Sequence, residues 1–279
     1  MGKARFISSK NNGFIIETAK LKQKKYRTET NLFFVEGIKL LKEALRSDYC
    51  GKIKNIIIEE NIFDETADII NMINISGIKE FDTDEEIDIV KVTREVYAKI
   101  TEEEAFQGVM CVIEKMPGNT VLNYDKPVII LDSVRDPGNV GAVIRTAAAF
   151  GGFDIILSDD CADIYGGKTQ RASMGAVFRQ NIKICGKTAL GTEIENLKKN
   201  GYNIFAAYLK NKPRPIEEVL FTKKTAVIFG NEGNGLDGGI AGLCDERIII
   251  PISPNSESLN ISVAAGIVMW EIKRRCVKL

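Results

Sequence analysis

The sequence predicts an α/β protein whose C-terminal part is built on a mostly parallel sheet. Two observations lead there. From Pro127 onward, apolar runs alternate with helical stretches: VIILD at 128–132, FDIIL at 153–157, a run near 182–185, YNIFAAY at 202–208, AVIFG at 226–230 and RIIIPI at 247–252. Strands alternating with helices in this way make a parallel sheet covered on both faces. Polar segments follow directly after three of these strands, at the edge where open α/β sheets bind ligands.

The elements follow in chain order. Lys20–Arg27 (KLKQKKYR) is a basic run around one tyrosine. Asn31–Leu45 passes from a short apolar strand into an amphipathic helix, with Leu40, Leu41, Ala44 and Leu45 on one face. Ile53–Ile58 suits a strand, 62–75 a helix, 78–81 a short strand and 84–100 an acidic helical region. Gly108–Ile113 has the composition of a buried strand. Residues 1–113 therefore form a smaller α/β domain. Residues 114–126, carrying Pro, Gly and Asn, form a linker, and 127–279 a second domain. In that domain helices are expected at 139–150, up to about 178, at 190–200 and at 261–275.

The 279 residues carry 38 Lys+Arg, 38 Asp+Glu and no histidine. Without imidazole there is no Ser-His-Asp triad, no Cys-His dyad and no HExxH metal site. The six cysteines form no CxxC pair, so no metal is expected, and reduced structural thiols in a cytoplasmic protein are. No apolar run reaches the roughly 18 residues a membrane span needs. The zero net charge is an average. Residues 1–46 hold 11 basic and 4 acidic side chains, whereas residues 57–104 hold 4 basic and 15 acidic ones. Such asymmetry points to an interaction surface.

Three loops carry the chemistry. In the first, a strand ends at Asp132, Asp136-Pro137-Gly138 makes a turn, and Asn139 is read as the N-cap of a helix with Arg145 in its second turn. That places a guanidinium within reach of a phosphate at the sheet edge. In the second, glycines 230, 233 and 235 follow a buried strand with one carboxylate, Glu232. The spacing is neither a dinucleotide fingerprint nor a Walker loop, so these glycines serve tight bending and close backbone approach to a flat ligand. In the third, a Ser- and Asn-rich loop leads from Pro251 into a helix beginning near Asn260, whose N-terminus can orient a hydroxyl or an anion.

In this order and register the loops resemble the three motifs of the SpoU/TrmH family of RNA ribose 2′-O-methyltransferases. The matching segments are Asn139 to Thr146 (N-x-G-A-x-x-R-T), Phe229 to Leu236 (F-G-N-E-G-x-G-L) and Ile250 to Ala264 (I-P-I…S-L-N-x-S-x-A), with Lys168–Phe178 resembling the family's R-A-S-M-G segment. Phe34–Gly37 and Gln107–Val109 resemble the two ends of the L30e-like substrate-binding domain found in many members. The resemblance implies a deep trefoil knot in the C-terminal domain (the SPOUT, or α/β-knot, fold). It implies S-adenosylmethionine bound by Gly230, Ile250 and Leu259, and a homodimer formed through the knotted domain. It also implies an RNA substrate, with ribosomal RNA (23S) favoured over tRNA.

By the same register Arg145, Asn139, Glu232, Ser258 and Asn260 are the expected catalytic set. A guanidinium, with a pKa above about 12, is a poor base. Arg145 is therefore expected to stabilise the developing alkoxide, and Asn139 to fix Arg145 and the RNA backbone. Glu232 would order the second loop, through Arg145 or the partner subunit. Ser258 and Asn260 would hold the cofactor loop and the target ribose, with Ser262 left to helix packing. Arg171 and Arg135 are candidate phosphate contacts, as are Lys22, Lys24, Lys25 and Arg27 around Tyr26, with the acidic stretch facing away from RNA. A tRNA 2′-O-methyltransferase and a catalytically silent RNA-binding homologue are the alternatives.

Overall fold

The computed structural model describes residues 5–62, 87–116, 121–208, 212–231, 233 and 235–276. Its helices are α1 (Gly13–Lys20), α2 (Lys24–Thr30), α3 (Ile38–Leu45), α4 (Arg94–Ile100), α5 (Pro137–Phe150), α6 (Gly167–Ser173), α7 (Leu190–Lys199), α8 (Gly238–Gly242) and α9 (Ile261–Cys276). The strands are β1 (Arg5–Ile7), β2 (Leu32–Glu36), β3 (Ile53–Glu59), β4 (Asp88–Val92), β5 (Val109–Glu114), β6 (Val128–Leu131), β7 (Asp154–Ser158), β8 (Ile182–Cys185), β9 (Asn203–Ala207), β10 (Arg214–Pro215), β11 (Thr225–Phe229) and β12 (Glu246–Ile249). They divide between two compact units, Met1–Pro117 with Tyr165–Arg179, and Gly118–Ile164 with Gln180–Leu279.

The first unit holds a five-stranded sheet in the order β1-β4-β3-β5-β2. β5 runs antiparallel to β2 and β3, and β4 lies parallel between β1 and β3. Leu40, Leu41, Ala44 and Leu45 of α3 are all buried, as the sequence periodicity requires. The two segments that bracket the expected substrate-binding domain meet here. Gln107 accepts the backbone N–H of Ile38 at 3.0 Å, capping α3. Glu36 is buried, accepting hydrogen bonds from Tyr97 and Thr101. Burial holds its carboxyl above the usual range, the hydrogen bonds opposing that shift only in part.

One expectation for this unit is corrected. Residues 84–100 are not one helical region: β4 occupies Asp88–Val92, and α4 begins only after Thr93, whose side chain caps it. Val90 and Val92 alternate inward between two neighbouring strands. The acidic residues around them masked that period of two. The helix expected at 62–75 and the strand at 78–81 lie, apart from Ile62, outside the described residues.

The second unit holds a seven-stranded sheet, parallel throughout, in the order β10-β12-β9-β11-β6-β7-β8. Its central strands are apolar and fully buried: Val128, Ile130, Ile156, Ile204 and Ile228 all lie in one core cluster. Each such side chain stabilises the fold by roughly 1.5–3 kcal/mol relative to exposure. Because β11 inserts between β9 and β6, loops distant in sequence emerge side by side. The N–H of Asp132 donates to Phe229 O at 2.8 Å. This is the topological switch at which parallel sheets place their ligands. α9 packs against α5 and is tied down by Lys273, which donates to Phe150 O, and by Arg275, which donates to Val219 O.

Candidate active site

The loop after β6 starts with Asp132, only 2 % exposed and paired with Lys187. The N-cap of α5 is Asp136, not Asn139 as the sequence reading has it: Asp136 Oδ1 accepts the Asn139 N–H at 2.7 Å, and Pro137 takes the first helical position. Pro is pre-organised for that position, and its missing N–H costs nothing there. The helix thus begins two residues earlier than expected, and Arg145 stands in its third turn rather than its second. Its side chain is exposed and has no hydrogen bond or ion pair among the described residues.

The shifted start of the helix frees the Asn139 side chain for another use. Asn260 caps α9 with one end of its amide, Oδ1 accepting from Ser262 N at 2.8 Å and Val263 N at 3.4 Å. With the other end, Nδ2, it donates to Asn139 Oδ1 at 2.9 Å. Ser262, read from sequence as packing, donates its hydroxyl to Asn260 Oδ1 at 2.6 Å and so fixes which way the amide faces. Its position two residues after the cap is the signal that could have found it.

The loop after β11 is shaped by close backbone approach. A Cβ at Gly230 would stand 2.4 Å from Leu236 N, so only glycine fits. Asn231 and Gly235 pair backbone to backbone, and Gly235 adopts φ +70°. Glu232 lies outside the described residues.

Between this loop, the loop after β12 and α9 lies a cavity of about 580 Å³. Gly230, Ile250 and Leu259, the three expected cofactor contacts, all line it, together with Ser258 and Asn260. Leu236, Ile248 and Val268 give it apolar walls, and Tyr208 contributes an aromatic ring. Arg145 and Asn139 are not in its lining; Asn139 reaches it through Asn260.

The expected RNA contacts divide. Arg135 is exposed beside the site, without a partner among the described residues. Lys24 and Lys25 are exposed on α2, Lys25 standing 3.8 Å from Glu29. Arg27 is corrected: it is 6 % exposed and donates to the carbonyls of Leu21 and Lys22, closing the turn between α1 and α2. Lys22 is half-buried and donates to Lys99 O at 2.8 Å, and burial lowers its pKa. Arg171 belongs to the first unit, 3.4 Å from Glu103 and 4.0 Å from Glu102. Two carboxylates already answer its charge, so the geometry does not present it as a phosphate contact.

Other chemistries find no support. Burial pushes the Cys185 and Cys244 thiols up to about 11 and raises Cys111 and Cys161 as well, so these are protonated, poorly nucleophilic thiols. Among the described residues, no group of His, Cys, Asp and Glu could hold a metal ion and no helix is long and apolar enough to cross a membrane.

Residues 126–270 match the SpoU rRNA Methylase family, and residues 12–111 match the MRM3-like substrate binding domain. The chain is 32% identical over 267 residues to the 23S rRNA (guanosine(2553)-2'-O)-methyltransferase RlmP of Bacillus subtilis, covering 96% of this chain and 98% of that protein. It is 29% identical over 198 residues to the 23S rRNA (guanosine-2'-O-)-methyltransferase RlmB of Acinetobacter baylyi, covering 68% of this chain and 79% of that one. Among solved structures, the AdoMet-bound rRNA methyltransferase from Sinorhizobium meliloti superposes with a TM-score of 0.83 at 28% identity, over 99% of this chain and 100% of that one.

Proposed function

The chain belongs to the SpoU rRNA methylase family, and from that premise we propose that it methylates a ribose 2′-hydroxyl of 23S ribosomal RNA with S-adenosylmethionine. The observation that carries the reading is a cavity walled by the loops after β11 and β12, to which the start of α5 is joined by the Asn139–Asn260 hydrogen bond.

The residues present fit the cofactor. The cavity lies within the range of small-molecule sites. Its apolar walls suit a purine, and Gly230, Gly233 and Gly235 in its lining have only backbone to offer a ligand. When bound, S-adenosylmethionine supplies an electrophilic methyl on a sulfonium. The protein's own residues then align and stabilise. Ser258 and Asn260 hold the loop after β12 against the cavity. Asn139, fixed by Asn260, orients the first turn of α5. Arg145, exposed on α5, would stabilise the partial negative charge on the ribose 2′-oxygen as its O–H proton passes to water and the O–CH3 bond forms, with S-adenosylhomocysteine as the leaving group. Arg135, Lys24 and Lys25 bind RNA phosphates, and Glu232 orders the loop after β11.

Residues 1–113 serve as the L30e-like RNA-binding domain, 114–126 as linker and 127–279 as the catalytic domain, whose C-terminal segment threads a trefoil knot. The active form is a homodimer. α9 exposes Val263, Ile267 and Trp270 at 50%, 38% and 48%, on one helical face by their spacing. The Trp270 and Phe150 rings lie 5.9 Å apart, tilted by 40°. An apolar stripe of this kind suits cover by a second copy. A ribosomal RNA substrate implies a cytoplasmic enzyme. Mapping 2′-O-methyl sites in ribosomal RNA and tRNA with and without the gene tests the target. One 23S position losing its methyl is expected; loss confined to tRNA would contradict it.

A further inference from the structure

At the C-terminal ends of β6, β7 and β8 lies a polar cluster that the reaction outlined above does not use. Its centre is Ser133, a non-glycine residue at φ 58°. That left-handed conformation costs free energy and persists only where the surroundings over-determine it.

Every polar group of Ser133 is engaged. Its N–H donates to Ser158 Oγ at 2.8 Å, and Ser158 Oγ donates to Asp160 Oδ1 at 2.6 Å. Its own hydroxyl donates to Asp160 Oδ2 at 2.7 Å, closing a ring through three residues. The hydroxyl also accepts from Lys187 Nζ at 2.6 Å. Lys187 pairs at the same time with the buried Asp132, as the one cation on that carboxylate among the described residues. The carbonyl of Ser133, aimed by this arrangement, accepts from Asn231 Nδ2 at 2.9 Å. Asn231 in turn holds Gly233 N at 2.9 Å and bridges to Gly235, and all three line the cavity.

We propose that Lys187, on the turn between β8 and α7, is a positioning residue for the cofactor cavity, acting through Ser133 and Asn231 on the loop after β11. The inference rests on the functional reading above. Its physical content is that neutralising Asp132 and anchoring the Ser133 hydroxyl fix the Ser133 carbonyl, which presets the Asn231 amide. The loop then meets its ligand already ordered, so less conformational freedom is lost on binding. The Asp160 carboxyl fits the same picture. Burial opposes its charge, yet the hydrogen bonds from Ser158 and Ser133 and the nearby Lys187 outweigh it and hold it below the usual range.

The test is S-adenosylmethionine titration and steady-state kinetics on the full chain and on Lys187→Met, Asn231→Ala and the double variant. Lys187→Met is expected to raise the cofactor Kd and KM about tenfold while kcat at saturation falls less than threefold. In the Asn231→Ala background the same substitution should change Kd less than twofold, because the route is already cut. Asp160→Asn, a gentler change at the ring, should raise Kd in the same direction should Lys187→Met fail to fold. Unchanged Kd in both Lys187→Met and Asp160→Asn, or additive effects in the double variant, would overturn the inference while leaving the functional reading intact. A wild-type chain that binds no S-adenosylmethionine would instead defeat that reading.

Discussion

Asn260 Nδ2 donates to Asn139 Oδ1 at 2.9 Å, joining the loop after β12 to the first turn of α5 across 121 residues of sequence. The same amide caps α9 through Oδ1. One side chain therefore does two separable jobs, which a pair of substitutions can divide. Asn260→Asp keeps the capping oxygen and loses the donor. It should melt within about 0.5 kcal/mol of wild type yet lose at least about tenfold in kcat. Asn260→Ala loses both and should also cost about 1 kcal/mol of stability. Thermal melts beside single-turnover rates separate the two.

Arg145 is exposed and has no partner among the described residues, so removing it should leave the fold alone. Arg145→Ala is expected to change stability by less than about 0.5 kcal/mol and to lower kcat by about 100-fold or more, as loss of a charge-stabilising group does. Arg145→Lys should recover little, since a point charge does not reproduce the planar fork. Near-full turnover by the lysine variant would show that the fork is not needed.

Gly230 has backbone where a side chain would go, with Leu236 N at 2.4 Å and Gly235 C at 2.5 Å from an added Cβ. Neither can swing aside as a side-chain tip would. Gly230→Ala is expected to cost about 1–3 kcal/mol and to weaken S-adenosylmethionine binding more than tenfold by isothermal titration. RNA binding through the first unit should persist.

The basic cluster now divides by geometry. Lys24 and Lys25 are exposed, whereas Arg27 is turned inward onto two carbonyls. Replacing Lys24 and Lys25 by glutamine should weaken RNA binding. It should also reduce the slope of log K against log salt by about 1.4 for two single-stranded phosphate contacts. Arg27→Ala should instead lower thermal stability, because it leaves the buried carbonyl of Leu21 and the part-buried one of Lys22 without their donor.

Residues whose roles follow from local pattern were legible in the sequence. The α3 face of Leu40, Leu41, Ala44 and Leu45, the apolar strands of the second unit and the three loops behind them needed only periodicity and position. What was hidden depends on contacts between distant segments. β1 is three residues long and pairs with β4 more than 80 positions away, too short to show a period. Lys187 and Ser262 look like ordinary polar residues until Asp132, Ser133 and Asn260 are brought beside them. The inward turn of Arg27 is likewise invisible to composition. Asp before Pro is a helix-start signal, but the same tripeptide also signals a turn, which hides the Asp136 cap behind the equally good capping residue Asn139.

The reaction proposed for this chain joins a methyl from S-adenosylmethionine to a ribose oxygen. The most direct measurement incubates purified protein with ribosomal RNA and isotope-labelled S-adenosylmethionine, digests the RNA to nucleosides and identifies the labelled product by mass spectrometry. Label is expected in a 2′-O-methylnucleoside and is expected to be lost in Arg145→Ala. Label on a base atom, or none in the presence of bound cofactor, would contradict it.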